Sequence, residues 1–349
     1  MEGSAATASD IHHPFARPPA TGTTIEVAPG VHWLRMPLPF ALDHINLWLL
    51  EDGDGWTIVD CGYGLDEVKL AWDEVFAATL GGKPVTRLLV THFHPDHMGL
   101  AAWHCDRWGL MPVMTLAEWL SANMAVHGHA PANFEARLAF FARHGVPDSI
   151  LDEMRADLSP YARGVPALPA GFRRIRDGDE IEIGGRTWRT ITAQGHAPEH
   201  ACYYCAEIGV LISGDQILPK ITPNISVAYS EPLADPLALY LDSLATFEPL
   251  PADTLVLPSH QRPFTGLQAR LAGLAAHHEA RLADALAACE TRGHTAFELL
   301  PVLFRRKLDT HQTSFAIGES LAHLHHLVTR GRIHRDIDAD RRIRFHLSD

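Results

Sequence analysis

Lysine is scarce in this chain: only Lys69, Lys83, Lys220 and Lys307 stand among its 29 basic residues. Acidic residues number 42, leaving a formal charge of −13. That balance excludes a generic polyanion binder, which tracks phosphates with clustered cations. Cysteine is scarce too, and an odd count of five in 349 residues does not suggest a disulfide framework. Cys202 and Cys205 form a C-x-x-C pair, but the run from Ala201 to Cys205 reads as a strand, where positions three apart face opposite sides. No second such pair completes a four-thiolate site. No apolar run approaches the roughly 18 residues of a membrane span. The first twenty residues carry His12-His13 and three prolines and lack the apolar stretch of a signal peptide. They read as a loose arm over residues 1–22, and the cytoplasm is the expected compartment.

Histidine, by contrast, is abundant, at 23 residues. That makes a metal or proton-transfer site worth seeking. Otherwise the composition is that of a soluble globular chain, 46% hydrophobic and 20% charged, long enough for about two domains.

Short β-type runs are expected over 23–27, 31–36, 45–50 and 56–60, separated by turns such as Asp52-Gly53-Asp54-Gly55. A helix over 65–80 follows, its apolar face built from Leu65, Val68, Ala71, Val75 and Phe76. A short strand over 87–90 then leads into a dense polar cluster. Residues 115–160 carry helical patterning in several pieces and read as an insertion that walls a substrate pocket. Strands are expected again over 180–183, 187–192, 201–205, 210–213 and 254–257, with a helix over 236–247. After the long helix 267–291 the pattern changes to helices over 296–304 and 313–329 and a hairpin over 331–347. This matches a small winged-helix-like module over 293–349, appended to a body over 23–292. From His294 onward nine basic residues meet seven acidic ones, so the tail is mildly positive while the body is strongly negative. A docking or dimerisation role for the tail fits that small charge better than nucleic-acid binding.

The chemistry concentrates in Thr91-His92-Phe93-His94-Pro95-Asp96-His97-Met98-Gly99. Three imidazoles and a carboxylate within six residues supply nitrogen and oxygen donors suited to zinc. In an extended segment His92 and His94 point the same way and can hold one ion, while Asp96 and His97, on the turn into a helix, can face a second. Three single residues at strand ends complete the set: His196 in Gly195-His196-Ala197, Asp215 in Gly214-Asp215, and His260 in Pro258-Ser259-His260. The remaining clusters, His277-His278 and His323-Leu324-His325-His326, read as packing or solvated positions.

The order H-x-H-x-D-H, then His, Asp and His, resembles the metallo-β-lactamase superfamily of αββα hydrolases. The resemblance implies an α/β fold of four αββα layers, with the helical insertion and the small C-terminal module added. It implies that His92, His94 and His196 hold one metal, that Asp96, His97 and His260 hold the other, and that Asp215 bridges them. Asp60 in Val59-Asp60-Cys61-Gly62 is similar to the family's buried supporting aspartate. Two divalent ions are implied, zinc foremost, with iron and manganese as alternatives, and a bridging hydroxide as nucleophile. Asp96 is then the catalytic residue that orients the nucleophile and takes its proton. Histidine at position 94 favours hydrolysis, and a bridging Asp215 is similar to the glyoxalase II, lactonase and endoribonuclease branches. Gln261 stands where the family commonly has glycine. The implied partner is a small acyl substrate, a thioester or lactone. An endoribonuclease acting on RNA is the second reading, disfavoured by charge, and a mono-iron persulfide dioxygenase the third. No membrane partner is expected, and a homodimer is compatible with the tail. Phe40 and His44, before the strand 45–50, and His127, His129 and Tyr161 in the insertion are candidates to touch substrate.

Overall fold

Four strands of the first half turn back on one another: β1 (Thr24–Ala28), β2 (Val31–Pro37), β3 (His44–Asp52) and β4 (Gly55–Val59). Beyond them β5 (Val85–Leu89), β6 (Pro112–Met114) and β7 (Arg173–Arg174) add in parallel, giving a seven-stranded sheet in chain order. The computed structural model describes residues 11–127, 131–156 and 160–348. The second sheet holds β8 (Glu180–Ile183), β9 (Arg186–Ala193), β10 (His200–Cys205), β11 (Val210–Gly214) and β12 (Leu255–Pro258). A terminal ribbon pairs β13 (Ile333–Ile337) with β14 (Ile343–Leu347).

Both large sheets bury both faces, and period-two alternation explains how. On β3, Ile45, Leu47 and Leu49 face a core shared with the helices Asp66–Thr79 and Ala101–Trp108, while Trp48 and Leu50 face the other sheet. On β10, Ala201, Tyr203 and Cys205 join that inter-sheet core, and Cys202 and Tyr204 join the outer one. The layers are therefore helix, sheet, sheet, helix. Cys202 and Cys205 lie on opposite faces, and all five cysteines are buried and unpaired.

The outer core under the second sheet is continuous. It joins the helix Pro236–Ala245, the long helix Leu267–Thr291 and the helix Thr310–Thr329 to two insertion helices, Pro131–Arg143 and Asp148–Ala156. The first insertion helix, Leu116–His127, instead buries Ala122 in the core under the first sheet. The structure departs from the sequence expectations at two places. Arg173–Arg174, ahead of the strands expected from 180, form β7 and complete the first sheet. The helix expected over 296–304 shrinks to Leu300–Leu303: turns fill 296–299, where the Phe297 amide donates to the His144 carbonyl at 3.1 Å. Among the described residues no helix is long and apolar enough to cross a membrane.

Strand direction gathers the chemistry at one end. β4 and β5 run parallel, as do β11 and β12, and β9 and β11 each run antiparallel to β10. The carboxyl ends of β4, β5, β9, β11 and β12 thus release Asp60, the motif from Thr91, His196, Asp215 and His260 at the sheets' shared end, where open α/β folds carry their sites.

Candidate metal centre

The motif leaves β5 as a tight loop and enters the one-turn helix Pro95–Met98. Gly99 closes it where three backbones crowd: a Cβ there would lie within 2.4–2.5 Å of the carbonyls of Gly62, Pro95 and Gly164. The loop delivers the side chains to three overlapping groups of donors: His92, His94 and His196; Asp96, His97 and His260; and His92, His97 and Asp215. In the first group His92 Nε2 is 2.9 Å from His94 Nδ1 and 3.2 Å from His196 Nε2. In the second, Asp96 Oδ2 lies 3.4 Å from His260 Nε2 and 3.7 Å from His97 Nε2.

Asp215 faces both groups. Its Oδ2 is 3.5 Å from His196 Nε2, and its Oδ1 is 3.3 Å from His260 Nε2 and 3.6 Å from His97 Nε2. The structure thus brings together all seven residues that the sequence singled out as ligands.

In four of the five rings the inward nitrogen is aimed by what the ring's other nitrogen touches, as in metal sites generally. His196 Nδ1 donates to the Asn224 carbonyl at 2.8 Å, and His260 Nδ1 to the His44 carbonyl at 2.9 Å. His97 Nδ1 meets Asp60 Oδ2 at 2.8 Å. Asp60 also accepts the Thr91 amide and hydroxyl, each at 2.8 Å, and Thr91 Oγ1 in turn lies 3.1 Å from His92 Nδ1. One aspartate therefore organises two ligands, and it does so from a left-handed backbone, φ +63°.

The electrostatics differ between the two groups. Burial, reinforced by neighbouring imidazoles, pushes the His92 proton affinity well down and that of His94 to about 3, so these rings are neutral donors. Burial would do the same to His97 and His260, but the surrounding carboxylates outweigh it. Asp96, Asp60 and Asp215 hold His97 well above the usual range, and Asp215 and Asp96 raise His260 to about 10. These rings carry protons that a cation would replace. Two atoms test that fit: His97 Nε2 and Asp215 Oδ1 are buried, aimed into the centre, and without a hydrogen-bond partner. Buried polar atoms left so are costly, and a divalent ion among these donors would satisfy both.

The substrate candidates fare unevenly. His44 is not on a loop but opens β3, and both its ring nitrogens are engaged within the protein: Nδ1 with Asp43 at 2.7 Å, Nε2 with the Gln261 amide at 2.9 Å. It supports His260. Gln261 adopts φ +73°, the backbone glycine would take, braced by hydrogen bonds to its carbonyl from Arg35 and Asn46. Tyr161 donates its hydroxyl to the Phe93 carbonyl, between two ligands, and stacks on the Phe93 ring. Phe40 is 45% exposed and meets Tyr63 edge-on. His127 is exposed at a helix end, and His129 lies outside the described residues.

Sequence reasoning missed two supports. Glu118, fully buried on the first insertion helix, accepts the amides of Phe93 at 3.0 Å and Glu199 at 2.6 Å, tying together the loops that carry His94 and His196. Burial pushes its carboxyl up to about 7. His200 accepts the Asp215 amide at 3.2 Å and stacks on His92. Glu118 belongs to no motif, and only its burial marks it. His200, five residues from the Gly195 turn, had no spacing to separate it from an ordinary strand residue.

A four-layer αββα frame with paired His/Asp donor groups at one end defines a metallo-hydrolase. The family model of the metallo-beta-lactamase superfamily matches residues 41–260, and that of the metallo-beta-lactamase-like C-terminal domain matches 282–348. The chain belongs to the metallo-beta-lactamase superfamily. A crystal structure of a beta-lactamase domain protein from Burkholderia ambifaria is 47% identical, with a TM-score of 0.92 over 98% of this chain and 99% of that one. Among curated proteins, "Probable metallo-hydrolase YqjP" of Bacillus subtilis is 26% identical over 78% of this chain and 84% of its own length. An atrochrysone carboxyl ACP thioesterase of Aspergillus fumigatus is 24% identical, but the match spans 51% of this chain and only 31% of that protein. A linear primary-alkylsulfatase of Pseudomonas is 26% identical over 62% of this chain and 42% of its length.

Proposed function

We propose that the protein is a dinuclear hydrolase of small acyl substrates, a thioester or lactone, with zinc as the fitting metal. The observation that carries the reading is the division of Asp215: one oxygen faces His196 and the other faces His97 and His260, so one carboxylate serves two donor groups. His92, His94 and His196 would hold one ion and Asp96, His97 and His260 the other. Such a pair supplies Lewis acidity toward a carbonyl oxygen and makes water acidic enough to attack near neutral pH.

The chain's own groups do the rest. Asp96, the more exposed carboxylate at 18% against 11% for Asp215, accepts the attacking water's proton at Oδ1, the oxygen not shared with His97 and His260. As the acyl C–S or C–O bond breaks, that proton passes to the departing thiolate or alkoxide. The anchored Nδ1 atoms of His97, His196 and His260 keep the donors from rotating as charge develops. A curated relative named as a thioesterase supports the acyl class.

The RNA reading is weakened by the tail. From Ala316 to Leu327 the helix Thr310–Thr329 is buried at all but one position, leaving little of it to enter a groove. The persulfide dioxygenase reading needs a single iron, and paired donor groups sharing Asp215 favour two ions. A hydrolysis panel of thioesters, lactones, β-lactams and RNA, run on metal-loaded protein with an Asp215→Ala control, tests the proposal. Thioester or lactone turnover with about two zincs per chain is expected. One bound iron, or salt-sensitive RNA cleavage alone, would overturn it.

A further inference from the structure

The C-terminal helix reaches the metal centre through one irregular stretch of chain. Residues 222–228 belong to no helix or strand, so no sheet ladder fixes their position. Yet the Asn224 carbonyl in this stretch receives the His196 Nδ1 proton at 2.8 Å and so aims that ligand. What holds Asn224 is the helix Thr310–Thr329. The Val227 amide donates to the Gly318 carbonyl at 3.1 Å, a bond from the stretch to the middle of the helix. The Asn224 side-chain amide donates to Glu319 Oε2 at 3.4 Å, and Ser226 Oγ donates to Asn224 Oδ1 at 2.6 Å. Gly318 is where the two touch: a Cβ there would lie 2.6–2.7 Å from Ser226 Oγ and Cβ. Ile225 and Val227 bury their side chains in the same core as Ala316, Ile317 and Leu321 of the helix.

We propose that the C-terminal helix is a working part of the metal site: through Gly318 and Glu319 it positions Asn224, and through Asn224 it positions His196. Gly318 and Glu319 are positioning residues, acting on the His92–His94–His196 group. His97 and His260 are aimed by Asp60 and His44, which lie on other elements. The helix therefore acts selectively on one of two ions. This inference rests on the dinuclear reading above, and its test separates the two.

The test is metal affinity resolved by site, on the full chain. Metal-free protein is titrated with Co²⁺ against a competing chelator, following the visible absorption of the bound ion. Wild-type protein is expected to take two ions. Glu319→Ala and Gly318→Ala should each weaken one ion about 10-fold, the lower end of what loss of a supporting partner costs, and leave the other within twofold. Glu319→Gln keeps an acceptor for the Asn224 amide and should restore affinity to within threefold of wild type. Phe345→Leu, at the far end of the tail where β14 meets His294, should lower the Tm yet leave both affinities unchanged. Should Gly318→Ala fail to fold, Ser226→Ala reads the same contact without added atoms and should weaken the same ion about threefold. Unchanged affinities in Glu319→Ala and Ser226→Ala, or equal losses at both ions, would overturn the inference. Wild-type protein that binds fewer than two ions would instead overturn the dinuclear reading.

Discussion

Among the described residues two histidine clusters lie buried, and only the first gathers its donors as a metal centre would. The first gathers His92, His94, His97, His196 and His260 at the strand ends, and the second sets His278 against His323, with His277, His325 and His326 nearby. Burial depresses proton affinity in both: His94 and His278 fall to about 3, and His323 to about 4. The difference lies in the backbones that carry them. Loops at strand ends can turn several rings toward one point. A helix advances about 100° per residue, so His323, His325 and His326 fan outward. His323 meets His278 at 3.2 Å, His325 meets the Ala234 carbonyl at 2.8 Å, and His326 meets Asp235 at 3.0 Å. Two carboxylates stand among the first cluster's rings. Among the described residues, no three donors of the second cluster converge. Buried imidazoles alone do not make a metal site; convergence and countercharge do.

Asp215→Ala is the substitution that should break this contrast most fully. Turnover should fall by more than the roughly 100-fold typical of losing a supporting partner, and bound metal should drop below two ions by elemental analysis. His323→Ala should leave turnover and metal content within about twofold. Metal removal comes next. Stripping with chelator should cost about 4 kcal/mol of stability per ion where free metal stood 1,000-fold above its Kd, read as a lower Tm that returns on reloading. Glu118→Ala frees two amides and should cost about 3 kcal/mol in denaturant titrations, with a larger loss of activity than any second-cluster variant.

Acid sharpens the comparison from the other side. His104 lies fully buried against Trp72, Phe76 and Trp103 with neither ring nitrogen partnered, and burial lowers it to about 3. His144 and His278 are lowered to about 3 as well. For a histidine lowered on folding, the unfolded chain takes up a proton below about 6.5 and the folded chain does not. Its stabilising contribution is therefore complete above 6.5 and lost as pH falls toward 3. His104→Leu should remove one such penalty. Its advantage over wild type should be about 2 kcal/mol larger at pH 5 than above pH 7, a difference that melts across pH 5–8 resolve. The smallest effect is expected at the surface. Breaking the exposed Arg330–Glu279 pair with Arg330→Ala should change stability by under about 0.5 kcal/mol.

Most of the frame was legible because alternation and turn chemistry are local. β3 and β10 sort their side chains between two cores by period two, and that pattern lies in the order of residues. Local pattern failed where a tertiary neighbour decided. The short β7 joined the first sheet because β6 offered its edge, and the helix expected at 296 gave way to turns where the Phe297 amide donates to the His144 carbonyl. At the centre, the motif from His92 to His97 named its donors because six consecutive residues have little other use for so many ligands. His44 and Glu118 could not be read that way. From sequence His44 reads as a substrate contact and Glu118 carries no signal, since their hydrogen-bond partners lie 217 and 81 residues away.

The order of residues alone decided the donor set, the layered architecture and the chain's membership of its family, because those depend on side-chain chemistry and short periodicities. The tertiary structure decided which rings converge and what aims them. It set Asp215 between two groups, and it drew the C-terminal helix against Asn224. Such contacts join segments far apart in the chain, and their energy comes from burial and geometry that no short window of residues contains.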